Sequence, residues 1–191
     1  MQSIVETVMK ELSSGNNLSA ISKSVGGDDT AVKSALGMGL PLVLGSMANT
    51  ASKPGSTEML TKMLAQTGGS NPMDNLSGFL GNPAASGGSG MVNTLFGSQM
   101  GTIQTAISQK TGLPVAAVAK VMEIATPLIV GYVGKMFIQQ KMDTSSLTSI
   151  LGDQSKIALQ SSSDADGVAQ QLLAAQTGGG ASGILKKVLG K

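Results

Sequence analysis

Cysteine, histidine, tryptophan and arginine are all absent from this 191-residue chain. Without thiolate or imidazole there is no zinc-type metal site, no cysteine or histidine nucleophile and no histidine proton shuttle. All 13 basic side chains are lysines, so the bidentate fork favoured for phosphate, carboxylate and guanine is missing. Charge is scarce too: 13% of residues carry it and the net value is +2, too little to steer a polyanion from a distance. Only Phe79, Phe96, Tyr132 and Phe137 are aromatic, so the core must be built from aliphatic side chains, alanine and some of the 12 methionines. The lack of cysteine removes disulfides but does not decide the compartment.

Residues 1–12 (MQSIVETVMKEL) lack the order of a secretory signal, with Lys10 and Glu11 interrupting them. A cytoplasmic location is the expectation, with signal-independent export as the other route. The two most apolar stretches are 35–48 and 121–138. The first is too short to span a bilayer, and the second carries Glu123, Lys135, Pro127, Gly131 and Gly134. Buried core helices are expected from both, with no transmembrane span.

What the chain does contain is one unit twice. Residues 19–45 align with 105–131 without a gap at an offset of 86. Ala20, Ile21, Ser22, Gly26, Ala31, Val32, Pro41, Leu42 and Gly45 recur as Ala106, Ile107, Ser108, Gly112, Ala117, Val118, Pro127, Leu128 and Gly131. About two such matches are expected from ordinary residue usage. The repeated residues are packing positions and backbone breaks, not reactive groups. Two shorter echoes accompany them: Ser89 to Gly97 resembles Ser182 to Gly190, and Ala65 to Gly69 recurs as Ala175 to Gly179.

Local signals predict helices throughout. Ser3 and Glu6 have capping-box spacing for a helix over 4–13, and a second covers 18–25, ended by Gly26-Gly27. Asp28 caps a helix from 29, which should kink or restart at Pro41 before continuing to about residue 50. Helices are then expected at 56–66, 73–80 and 92–96. In the second unit Ser98 caps a helix to 111, and Pro114 opens a long apolar one to 139. Helices at 145–151, 164–176 and 184–189 complete the reading. No run alternates β-branched and polar residues, so the expected fold class is all-α: duplicated multi-helix units with no sheet. The expected organisation is a first unit over 1–80, a Gly/Ser linker over 81–88, a second unit over 89–160 and C-terminal helices over 161–191.

Ile107 to Pro114, with Val118 and Val121 beyond, has the spacing of a helix-turn-helix DNA reader centred on Gly112. Against that, residues 114–119 read Pro-Val-Ala-Ala-Val-Ala, without donors or acceptors for base edges, and the first unit opens on Asp28-Asp29. Lys110-Thr111-Gly112 matches the KTG element of penicillin-recognising enzymes, but no Ser-x-x-Lys or Ser-Asp-Asn companion exists. The glycine-rich stretches form no phosphate loop, and Asp28, Asp29, Asp164 and Asp166 are accounted for as helix starts. Glu123 stands out in an apolar helix. It either faces solvent near Lys120 or makes a buried polar contact between the units. Scattered methionines read as core filling, not a peptide groove. Lys186, Lys187 and Lys191 give the last helix little attraction for anionic lipid.

Ile107-Ser108, Thr111-Gly112-Leu113, Val118 and Pro127-Leu128-Ile129-Val130-Gly131, preceded by Thr94-Leu95-Phe96-Gly97, together resemble the YidB-like bacterial domain of unknown function. In the first unit Gly26-Gly27-Asp28 stands where that family has Gly-Leu-Pro. The resemblance implies an all-helical bacterial protein and carries over no catalytic residues. Taken together, the sequence points to a non-enzymatic interaction or assembly protein. It would self-associate through apolar helix faces as a homo-oligomer, filament or scaffold subunit, or bind another protein. No cofactor, metal or small-molecule substrate is expected, and nucleic acid is not the expected partner. The alternatives are DNA binding around Gly112 and an enzyme without His or Cys. The motif residues are Gly26, Pro41, Gly45, Gly112, Pro127 and Gly131, and the candidate interface residues are Glu123, Ile184, Leu185, Val188 and Leu189.

Overall fold

A computed structural model describes residues 3–14, 16–53, 55–69, 72–82, 87–162 and 164–170. Within them the chain is all-α, with no strand. The first unit comprises α1 (Ile4–Leu12), α2 (Asn17–Val25), α3 (Asp29–Ala51), α4 (Ser56–Gly68), a 3-10 turn at Pro72–Asn75 and α5 (Leu76–Gly81). The second comprises α6 (Gly88–Phe96), a 3-10 turn at Gly97–Gln99, α7 (Met100–Thr111), α8 (Val115–Gln139) and α9 (Thr144–Gln160), followed by a helical segment over 164–170. The expected final helix over 184–189 lies outside the described residues.

Helix starts follow from local chemistry. Glu6 accepts the Ser3 amide at 3.1 Å, and Asp28 accepts the amides of Thr30 and Ala31 at 3.0 and 2.9 Å. Asp143 does the same for Ser146 at the head of α9. Ser98, expected as a cap, lies in the 3-10 turn instead, and α7 begins at Met100. α2 and α7 each end on a left-handed residue, Gly26 at φ 79° and Gly112 at φ 74°. Only glycine adopts that conformation at little cost, which is why both copies keep it.

α8 runs unbroken through Pro127 to Gln139, as expected, and α3 passes Pro41 as one helix without a restart, so packing on all sides outweighs the lost bond. One expectation fails at a helix end. α9 runs to Gln160, well past the expected end at 151. Its buried stripe is Leu147, Leu151, Ser155 and Ala158, and the second half of that stripe is too polar and small to read as apolar periodicity.

Burial explains the arrangement. Met38 to Leu44 are buried at seven consecutive positions, and Ile124 to Gly131 at eight. A helix buried over two full turns has no solvent face and must be enclosed by others. α3 and α8 therefore cross at the centre, where Gly39 meets Met122. Both are long and apolar enough to cross a membrane, but most of each is buried by protein. The sheath is exchanged between units: α4 lies chiefly along α8, and α9 along α3. Thr148 donates toward the Ala51 carbonyl at 3.5 Å, and Ser162 toward that of Gly37 at 3.4 Å, so α9 runs antiparallel to α3. A single apolar cluster spans residues of both units.

Gly88 heads α6 against the Glu123 carbonyl, so closely that a Cβ there would overlap the oxygen. At Gly39 the added Cβ would meet only the Met122 thioether, the end of a flexible side chain. Gly88→Ala should cost about 2 kcal/mol, within the range for overpacking, and Gly39→Ala clearly less. Urea denaturation of both variants checks this, with the order of the two costs as the informative result.

Candidate functional site: the duplicated proline–glycine seams

A proline inside a helix deprives the carbonyl four residues earlier of its partner. Pro41 does this to Gly37, and Pro127 to Glu123. The two orphans are met differently. The Ser162 hydroxyl reaches the Gly37 carbonyl, while the Glu123 carbonyl is covered by Gly88. Glu123 itself is half-buried, and among the described residues its side chain makes no ion pair or hydrogen bond, with Lys120 exposed nearby. Its importance lies in its backbone, a role that its carboxylate did not advertise.

One turn beyond each proline comes the repeated glycine. Gly45 admits α9 closely, since a Cβ there would lie 3.3 Å from Ser155 Oγ. Gly131 occupies the matching place in α8 and is buried. Pro41 and Leu42 are buried like Pro127 and Leu128, and Ser46 is half-buried like Tyr132; the copies differ at the glycine, half-buried at Gly45 and buried at Gly131, and at exposed Asn49 against half-buried Lys135. An open cleft of about 300 Å³ results, with Pro41, Leu42, Phe96 and Leu159 among its apolar lining. Ser46, Asn49, Gln99 and Ser155 add polar atoms, and among the described residues no charged side chain lines it. The Ser46 hydroxyl is spent on the Leu95 carbonyl, which ties α6 to the cleft wall. Such a surface matches uncharged, apolar material better than a polyanion.

The two helix-turn-helix-like turns lie side by side. Gly27 of the first faces Leu113 of the second, and a Cβ on Gly27 would fall 2.6 Å from Leu113 Cδ2. The first turn departs from Gly-Leu-Pro at the place where a side chain on Gly27 would crowd Leu113 and Val32. The exposed residues at the start of α8 are Pro114, Val115, Ala116 and Lys120. Lys110 is paired with Asp164 at 3.1 Å, and Lys135 with Asp74 at 2.7 Å. At the head of α3, the Ser19 hydroxyl donates to Asp29 at 2.7 Å. No group of His, Cys, Asp or Glu suited to a metal occurs among the described residues. The structure brings Pro41 and Gly45 together in the cleft, and places Gly26 and Gly112 at the turns, away from it. Ile184, Leu185, Val188 and Leu189 lie outside the described residues.

The Ser19 hydroxyl, helped by Ser22 and Lys23, holds Asp29 below the ordinary aspartate range, and the Ser146 amide does the same for Asp143. A lowered folded-state pKa stabilises fully above the unfolded value and is lost as pH falls through the folded one. Stability should therefore decline as pH drops from about 5 to about 2, and less steeply in an Asp29→Asn/Asp143→Asn variant. Thermal melts across that range compare the two slopes.

The model of a bacterial family of unknown function (DUF937) matches residues 7–136, in agreement with the YidB-like resemblance. No curated protein and no solved structure matches the chain.

Proposed function

The chain belongs to the bacterial DUF937 family, and we propose that it works as a non-enzymatic interaction and assembly protein. The observation that carries this reading is the unequal fate of the duplicated seam. Gly131 of the second copy is buried, while Gly45 of the first borders a cleft beside Pro41 with no charged side chain among the described residues that line it. Uncompensated apolar surface of this kind favours association, because burying it releases water without desolvating charge. Met59, Val115, Ile138 and Ile157, each at least 40% exposed, add apolar contact points on α4, α8 and α9. The scarcity of ionisable groups weighs against acid–base catalysis, since only 24 of 191 residues carry formal charge (13 basic plus 11 acidic). A second copy of the chain is the proposed partner.

Light scattering over a dilution series tests this. The chain should associate with concentration, and Asn49→Glu/Gln99→Glu, which places carboxylates on the uncharged rim, should weaken association about tenfold or more, or ~1.4 kcal/mol. A monodisperse monomer at every concentration contradicts the proposal.

A further inference from the structure

Among the described residues, five of the positions with positive φ are glycine: Gly26, Gly55, Gly87, Gly97 and Gly112. The one other is Lys141, at φ 47°, in the connection from α8 to α9. There the Met142 amide donates to the Phe137 carbonyl at 3.1 Å and the Lys141 amide to that of Ile138 at 3.3 Å, the paired bonds of a left-handed helix cap. Such a cap ordinarily uses glycine, because a Cβ crowds the neighbouring carbonyl oxygen in the left-handed region. The local sequence opposes the turn as well. Gln139-Gln140-Lys141-Met142 are four good helix formers, so their own preference is to carry α8 onward. The duplicate connection, from α3 to α4, lacks this conflict. Its sequence is Ser52-Lys53-Pro54-Gly55, and Gly55 takes the left-handed position at φ 82°.

The strained connection leads to a helix that belongs to the other unit. α9 packs on α3 and, to a smaller extent, on α1, both in the first unit, not along the α8 that it follows. Its Leu147, Leu151 and Ala158 are buried, and the Gln154 side chain accepts the Ile4 amide at 2.9 Å. The 164–170 segment behind it buries Ala165 and Val168 and pairs Asp164 with Lys110. The connection itself is exposed at 138–141 and 143–146, so opening it uncovers little apolar surface. Once Lys141 takes the right-handed conformation, α8 runs on and α9 leaves its own α3. The same contacts are then available on a second copy, with no new surface required.

We infer that this chain forms a reciprocal dimer in which α9 and the 164–170 segment of each copy dock on the other copy, with 140–142 as the hinge. What separates monomer from dimer is the hinge strain released on opening, set against the entropy of joining two chains. Ser155 and Leu159 line the Pro41–Gly45 cleft, so each cleft in the dimer is built from two chains. The inference rests on the reading above only in taking a second copy as partner, and it does not need the cleft as the contact.

The absence of cysteine makes the test direct, since a Cβ on Gly45 lies 3.3 Å from Ser155 Oγ. Gly45→Cys/Ser155→Cys is prepared in the full chain, in unlabelled and isotopically labelled form. Equal amounts are unfolded together in urea, refolded at high concentration, separated into monomer and dimer by size exclusion and mildly oxidised. Mass spectrometry then reads the peptides linked through positions 45 and 155. In the dimer about half of the links should join a labelled to an unlabelled peptide, as random pairing of reciprocal chains requires, and in the monomer none should. In the cysteine-free chain, Lys141→Gly should raise the dimer dissociation constant about tenfold or more by light scattering. Lys141→Ala, which keeps the Cβ, should leave the dimer no weaker. Links confined to single chains within the dimer would overturn the inference and leave association through the cleft standing. A dimer that Lys141→Gly leaves unchanged would overturn it too. Mixed links in a dimer that Asn49→Glu/Gln99→Glu does not weaken would keep the inference and refute the cleft as the contact. A monomer at every concentration overturns both.

Discussion

Two apolar helices crossing at the centre set the terms for everything around them. α3 and α8 are each buried for two turns on every side, so neither tolerates an unmet backbone group without help from its surroundings. Both nevertheless carry a proline at their most buried point. A serine hydroxyl from the end of α9 reaches one freed carbonyl, and a glycine at the head of α6 packs closely against the other. These two solutions fix where α9 ends and where α6 begins.

Duplication by itself would produce two small bundles. Exchange of the fourth helices joins them: α4 sheathes the long helix of the other unit, and α9 does the reverse. Each long helix is therefore completed by the other unit, and neither unit alone encloses its own apolar helix. Small residues make this possible at the crossing and the seams, where Gly39, Gly45 and Gly27 accept Met122, Ser155 and Leu113. Gly27 also faces Leu113 where the two turns meet.

Much of the fold was legible in the residues. Gly26 and Gly112 mark left-handed helix ends, and Asp28 marks a cap. These signals are local or rest on direct repetition. Helix exchange was not legible, because the choice of partner between α4 and α9 depends on surfaces that look alike in composition. The far half of α9 was missed because Ser155 and Ala158 pack through smallness, not hydrophobicity. The continuity of α8 through Pro127 was legible from its unbroken apolar run, whereas at Pro41 the local rule allowed a restart that enclosure prevents by supplying the stability that rule says is lost. The cleft had no sequence signal of its own. It arises from a difference between two copies, visible only when both are placed in space.

The central claim is that exchanged helices make one cooperative core from two copies. Native-state amide hydrogen exchange tests it most directly. Amides in the buried middles of α3 and α8 should open together, with the same free energy as global unfolding and the same denaturant dependence. Separate openings, with α3 and α8 exchanging at distinct free energies through unfolding of one unit at a time, would contradict the account.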